Sequence, residues 1–222
     1  MRVIVGCPVK DRAWCLPDWF EAVEAQGVDV EYLFIYTPGS DETEEVLLQH
    51  TTNILIEPTG RSETEIAGHL WGDINKYAYM AHMRNELLRN AHAMGADYFF
   101  SLDSDIILPP DGLKRLLSYA STHPGVVAPK VNMSWGATNW NVMSWVDPKY
   151  PRMAERSLVP PKTGQHHVVM AAMLLDRDAI DRGLWVAHHQ GEDIGFSVHA
   201  WKEQIPLWWV EEIHCQHWMR RH

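Results

Sequence analysis

Asp103 and Asp105 stand two residues apart at the end of an apolar run, Tyr98-Phe99-Phe100-Ser101-Leu102. The run has the length and composition of a buried strand. A strand continued through 103–105 puts both carboxyl groups on one face, where they repel each other unless a cation lies between them. Hard divalent ions such as Mg²⁺ or Mn²⁺ take oxygen ligands and often share them with phosphates. The carboxyl ends of strands in open α/β sheets are also where ligands bind. The chemistry on offer is a metal–diphosphate site. Asp-x-Asp also occurs as a pair of solvated loop acids or as a helix cap, and Pro109-Pro110-Asp111 opens a helix just beyond.

The elements that position this pair read as alternating strands and helices. Arg2–Cys7 is a first buried strand, and Pro17-Asp18 opens a helix that runs to about Gln26, with Gly27 as its stop. Val28–Tyr36 is a second strand, Ser40 or Asp41 caps a short acidic helix through Leu48, and Asn53–Ile56 is a third strand. Residues 59–73 are polar and contain glycine, as in a loop that closes over a ligand. Lys76–Met94 is the clearest helix, with Met80, Met83, Leu87, Ala91 and Met94 on one stripe. At about 100° per residue Arg84 lies within roughly 40° of Met80, on or beside the core-facing stripe. A buried guanidinium needs an anion, either a structural aspartate, the site carboxylates or a nucleotide phosphate.

Beyond the central strand come a helix to about Ala120, an apolar strand Val126–Val131, and a segment 132–164 without clear period that carries Trp135, Trp140 and Trp145. Structureless stretches of that length carry function, here acceptor binding, with tryptophans to stack on sugar rings. Val168–Leu175 is a strand, Asp176–Asp181 a helical turn, Gly191-Glu192-Asp193 opens a helix, and Leu207–Val210 is a last strand before Ile213–Trp218. The pattern predicts an α/β sandwich around a mostly parallel sheet.

The chain has 222 residues, which fits one domain, with 46% hydrophobic and 22% charged residues. A formal net charge of −10 means the surface as a whole does not attract nucleic acid or anionic lipid. Cys7, Cys15 and Cys215 have no paired spacing and read as free thiols of a reducing compartment. With no stretch approaching a membrane span, the expected location is the cytoplasm.

Taken together, Cys7-Pro8-Val9-Lys10-Asp11-Arg12 after the first strand, Arg84-Asn85 on the long helix, Leu102-Asp103-Ser104-Asp105, Gly191-Glu192-Asp193 and Ile213-x-Cys215-x-His217 resemble, in that order, the small, soluble, family-2-like GT-A glycosyltransferases. The resemblance spans nearly the whole chain. It implies a Rossmann-like α/β/α sandwich in a single catalytic domain, 1–105 forming a nucleotide-binding half and 106–222 an acceptor-binding half. It implies a metal-dependent hexosyltransferase: a nucleotide-sugar donor (a UDP-sugar by default), Mn²⁺ or Mg²⁺, and a hydroxyl acceptor such as a glycan, a metabolite or a modified base. Pro8, Val9, Asp11, Arg12 and Tyr36 would line the nucleobase and ribose pocket, with Arg84, Asn85 and Ser104 also on the nucleotide. Asp103 would contact the ribose or a metal-bound water, Asp105 would ligate the metal, and His217 would complete that site, with His214 as its competitor. Asp193, with Glu192 beside it, would take the proton of the acceptor hydroxyl. Acids are also ordinary in a first helical turn, and a histidine such as His217 is often merely packed.

Two other functions compete. His166-His167, His188-His189 and His214-x-x-His217 could supply nitrogen ligands beside Asp103 and Asp105, as in a metal-dependent hydrolase using Zn²⁺ or Fe. A non-catalytic nucleotide-sugar or carbohydrate binding module would use the same tryptophans without turnover.

Overall fold

The computed structural model describes residues 1–57, 73–133, 139–156 and 161–218. The loop expected over 59–72 and Trp135 lie outside them. The main sheet runs β11 (Gly164–Gln165), β14 (Leu207–His217), β8 (Val126–Val131), β13 (Ala172–Asp176), β6 (Tyr98–Leu102), β1 (Val3–Gly6), β3 (Val30–Tyr32), with β7 (Ile106–Ile107) paired to β14. β3, β1, β6, β8 and β14 point one way, while β13 and β11 are reversed. The expected mostly parallel sandwich is therefore present, with β13 as the antiparallel member at its centre.

β6 sorts its side chains by strand alternation. Phe100 and Leu102 face a core layer with Trp19 and Phe20 of α1 (Leu16–Glu24) and with Leu113 and Leu116 of α4 (Gly112–Ala120). Phe99 faces the opposite layer, with Leu87 and Ala91 of α3 (Ile74–Ala93), Ala179 of α5 (Arg177–Arg182) and Phe196 of α6 (Glu192–Lys202). The remaining helix, α2 (Thr43–His50), packs on α1 and adds Leu47 to the first layer.

Three sequence expectations change in detail. Val28–Tyr36 is two strands, β3 and β4 (Phe34–Tyr36), the latter pairing with β2 (Pro8–Val9) and β5 (Ile54–Ile56). The break is at Leu33, where the backbone crosses so close to β1 that a Cβ on Gly6 would lie 1.6 Å from the Leu33 carbonyl oxygen. Only glycine fits there. Val168–Leu175 is likewise divided into β12 (Val168–Val169) and β13, because Ala171 adopts φ 67° as the chain passes from one sheet to another. The aperiodic segment 132–164 is partly ordered: β9 (Val142–Trp145) pairs with β10 (Ala154–Arg156) and with β12 in a small antiparallel sheet.

Candidate active site at the end of β6

The strand alternation that sends Phe99 toward α3 continues through Ser101 and Asp103, and both meet Arg84 on that helix. Arg84 is 3% exposed. Its Nη1 donates to Ser101 Oγ at 3.0 Å, its Nη2 to Asp103 Oδ1 at 2.9 Å, and its Nε to Glu192 Oε1 at 3.2 Å. Asp193 Oδ1 lies 3.9 Å from Nε. A single guanidinium thus joins the strand-end acids to the pair at the start of α6. The structural and functional readings of Arg84 meet here: its anions are the site carboxylates.

Asp193 is held from three sides. Trp185 Nε1 donates to Oδ1 at 3.1 Å and the Ala171 amide to Oδ2 at 3.1 Å, while the Arg84 cation lies behind Oδ1. The left-handed backbone at Ala171, an uncommon and strained state for a residue with a Cβ, aims that amide. The Ala171 carbonyl accepts from the Asp103 amide at 3.1 Å, so one residue ties the two acid sites together. Asn85 acts on the same assembly: Oδ1 accepts from the Trp185 amide and Nδ2 donates to the Trp185 carbonyl, both at 2.8 Å. Burial, then the neighbouring Asp193, raises the Glu192 pKa well above the usual carboxylate range, with Arg84 opposing. Burial also pushes Asp103 up to about 6 against the pull of Arg84.

The second Asp of the pair faces another direction. Asp105 Oδ1 lies 3.8 Å from His217 Nε2, brought there by the β7·β14 pairing that sets His217 opposite Ile106. His217 Nδ1 faces the Asn132 carbonyl at 3.3 Å. Burial lowers the pKa of this imidazole, but the Asp105 carboxylate, the Asn132 carbonyl and Asp103 outweigh it, and the net shift is upward. His214, its competitor, points at Trp140 with ring centroids 6.1 Å apart.

Of these groups Arg84, Asp103 and Asp105 border a cavity of about 220 Å³ whose lining lies wholly between Pro8 and Asp105. Of the expected nucleotide residues, Pro8, Val9, Arg12, Arg84, Asp103 and Ser104 line it. Asp11, Tyr36 and Asn85 do not. Asp11, at φ 52°, accepts from the Ser40 amide at 2.7 Å and so anchors a turn. The Tyr36 hydroxyl receives the Gly39 amide of the same turn at 3.3 Å. Sequence reasoning missed Lys10 and Lys76 at the cavity wall, along with Thr37, Tyr79, Met80 and Met83 as liners. Met80 and Met83 were visible as a helical stripe but read as core. Trp185 carried no signal beyond being apolar, and Ser101 carried only the oddity of a hydroxyl within an aromatic strand.

Of the tryptophans expected at the acceptor side, the two among the described residues, Trp140 and Trp145, do not join this cavity. Trp140 sits under Lys130, whose Nζ is 4.2 Å from the ring centroid, and Trp145 is buried behind β9. The histidine pairs do not gather either: His188 Nε2 faces the Arg152 carbonyl and His166 Nε2 the Lys162 carbonyl. Among the described residues no group of three or more His, Cys, Asp or Glu could hold a metal by itself. All three cysteines are free and buried, and no described helix is long and apolar enough to cross a membrane.

No family model matches the chain, and no curated protein matches it. Solved structures do match. The mannosyltransferase PcManGT from Pyrobaculum calidifontis, in complex with GDP-Man and Mn²⁺, superposes with a TM-score of 0.65 at 13% identity, over 100% of this chain and 58% of that one. S. aureus TarS 1-349 in complex with UDP-GlcNAc gives 0.64 at 12% identity, over 100% of this chain and 60% of that one. GalNAc-T7 with UDP, GalNAc and Mn²⁺ gives 0.61 at 15% identity, over 99% and 44%. The chain spans about 60% or less of these proteins. The topology built from β1, β6, β13 and the helices around them is the GT-A glycosyltransferase fold.

Proposed function

We propose that the protein is a metal-dependent glycosyltransferase that moves a sugar from a nucleotide-sugar, a UDP-sugar by default, to a hydroxyl acceptor. The observation that carries this reading is the joining of two acid sites by Arg84, which itself lines the cavity together with Asp103 and Asp105. The first half of the chain binds the nucleotide: Pro8, Val9 and Arg12 border the base and ribose, with Asp103 and Ser104 at the ribose and diphosphate. Lys10, Arg12 and Lys76 give this wall positive charge in a chain whose overall charge is −10. That charge suits a diphosphate.

Asp105 and His217, one carboxylate and one imidazole, would hold a divalent ion such as Mn²⁺. Once bound, it would supply stabilisation of the negative charge on the departing diphosphate. Asp193 takes the proton from the acceptor hydroxyl as its oxygen attacks the anomeric carbon and the bond from that carbon to the diphosphate breaks. Each Asp193 oxygen spends one lone pair on an N–H donor and keeps another for this proton. Arg84, Trp185 and Ala171 hold the carboxylate in place, the fixed geometry that makes general-base catalysis effective.

The supporting assay incubates the protein with UDP- and GDP-sugars and Mn²⁺ and reads release of nucleoside diphosphate. Turnover that falls by ~10²–10⁴ in Asp193→Asn, with nucleotide binding retained, is the expected result. Turnover unchanged in that variant removes Asp193 from the reaction, and binding with no turnover for any donor favours the binding-module reading. The hydrolase reading requires tight Zn²⁺ and several nitrogen ligands, and of the described histidine pairs only His217 comes near the two aspartates, 3.8 Å from Asp105.

A further inference from the structure

A second cavity, of about 210 Å³, lies beside the C-terminal half of α6 and shares no lining residue with the nucleotide cavity. Its wall includes Trp145, Gln165, His166, His167, Trp201 and Gln204. Trp201 follows Asp193 by eight residues on the same helix, ~12 Å along its axis, so this is a separate site. Trp201 is 46% exposed, an unusual state for so large an apolar ring on a helix that is otherwise packed. Trp145 is the reverse: it is 3% exposed, and its indole N–H is buried without a hydrogen-bond partner. The polar atoms this cavity presents to an occupant therefore come from its exposed rim, His167, Gln165 and Gln204.

The tautomers of the two histidines follow from their neighbours. The Trp145 amide donates to His167 Nδ1 at 3.3 Å, so the proton of His167 is on Nε2. His166 Nε2 faces the Lys162 carbonyl at 2.8 Å and donates to it, leaving Nδ1 as an acceptor. Burial lowers the His167 pKa, with His166 adding to the effect, and this keeps the ring neutral. Among the described residues the wall contains no Asp, Glu, Lys or Arg. The cavity therefore offers an aromatic face, an imidazole donor, an imidazole acceptor and two carboxamides that do both, with no formal charge.

That chemistry excludes phosphates, cations and carboxylates as natural occupants, since each would lose its hydration without a countercharge. It suits a neutral ligand with one apolar face and a rim of hydroxyls that both donate and accept. We infer that this cavity is a second, non-catalytic saccharide-binding site, in which a pyranose stacks on Trp201 and its hydroxyls meet His167 and the two glutamines. This inference does not use the nucleotide cavity and stands apart from the transferase reading.

The test is a saccharide titration of the intact protein without nucleotide, followed by ligand-detected NMR and tryptophan fluorescence. The probes are glucose, galactose, mannose, N-acetylglucosamine, maltose and cellobiose. Saturable binding of at least one probe is expected. Trp201→Ala should weaken it by about tenfold and Trp201→Tyr, which keeps a stacking ring, by less. Gln165→Ala tests the rim independently and should also weaken it. Asp105→Ala should bind the saccharide like the parent, because Asp105 belongs to the other cavity. The inference is overturned if no probe binds at tens of millimolar, if Trp201→Ala binds as the parent does, or if Asp105→Ala abolishes binding. Melting curves for each variant confirm that a lost signal reports the site and not the fold.

Discussion

Asp103 and Asp105 are two residues apart, yet they live in opposite electrostatic settings. Asp103 belongs to a closed system: it shares Arg84 with Glu192 and Asp193, and every nitrogen of that guanidinium has a protein partner. Asp105 belongs to an open one, with a single imidazole 3.8 Å away at the edge of a cavity. The closed set is arranged by the protein and needs nothing further to hold its geometry. The open set has negative charge to offer and room beside it. The two acids are thus set to different work. Asp103 couples strand β6 to α6 through Arg84, and on the proposed reading Asp105 would present a ligand to a cation and its diphosphate.

The largest expected effect breaks the closed set. Arg84→Ala leaves three carboxylates with no cation, and removing one partner of a buried charge network costs roughly 3–5 kcal/mol. Denaturant melts should show that loss at neutral pH and a partial recovery on acidification, as the carboxyls protonate. A melt unchanged from the parent would mean the network is not formed. Next comes the open set: His217→Ala should weaken Mn²⁺-dependent nucleotide binding by about tenfold while changing stability by under ~1 kcal/mol, since the pair it breaks is long and partly exposed. Equal Mn²⁺-dependent affinity in parent and variant would remove His217 from the metal site.

A third effect concerns pH. Glu192 has its folded pKa raised from 4.5 to about 7, so the folded protein holds a proton that the unfolded chain has released. Its contribution to stability is present in full below the unfolded value and is lost as pH rises through the folded one. Between about pH 4.5 and 7 the parent should lose roughly 2–3 kcal/mol relative to Glu192→Gln. A parallel pH profile in the two proteins would show that Glu192 is not shifted.

Much of the closed set was legible because periodicity carries direction. The helical phase of Met80 and Leu87 put Arg84 toward the core, and the apolar run ending at Leu102 put Asp103 at a strand end. Which anion met Arg84 was not legible, because contacts between β6, α3 and α6 are set by packing across the sheet. Ala171 was invisible for a related reason: nothing about an alanine announces a left-handed backbone or an amide aimed at Asp193. Gly6 was read as part of an ordinary strand, although its missing Cβ is what lets Leu33 cross there. The position of Trp145 was not legible: it pairs with Ala154 across the β9·β10 hairpin and borders the cavity beside α6, and the strands of that hairpin are too short to show a period. His217 was separated from His214 only by the register of β7 against β14.

Calorimetric titration with UDP and GDP, each with and without Mn²⁺, decides whether Asp105 presents a metal–nucleotide site. One of the two nucleotides is expected to bind in the presence of Mn²⁺, and that binding to fall by at least about tenfold when the metal is withheld or when Asp105 is replaced by alanine. Binding of neither nucleotide under any metal condition, or binding that is the same in Asp105→Ala, would contradict it.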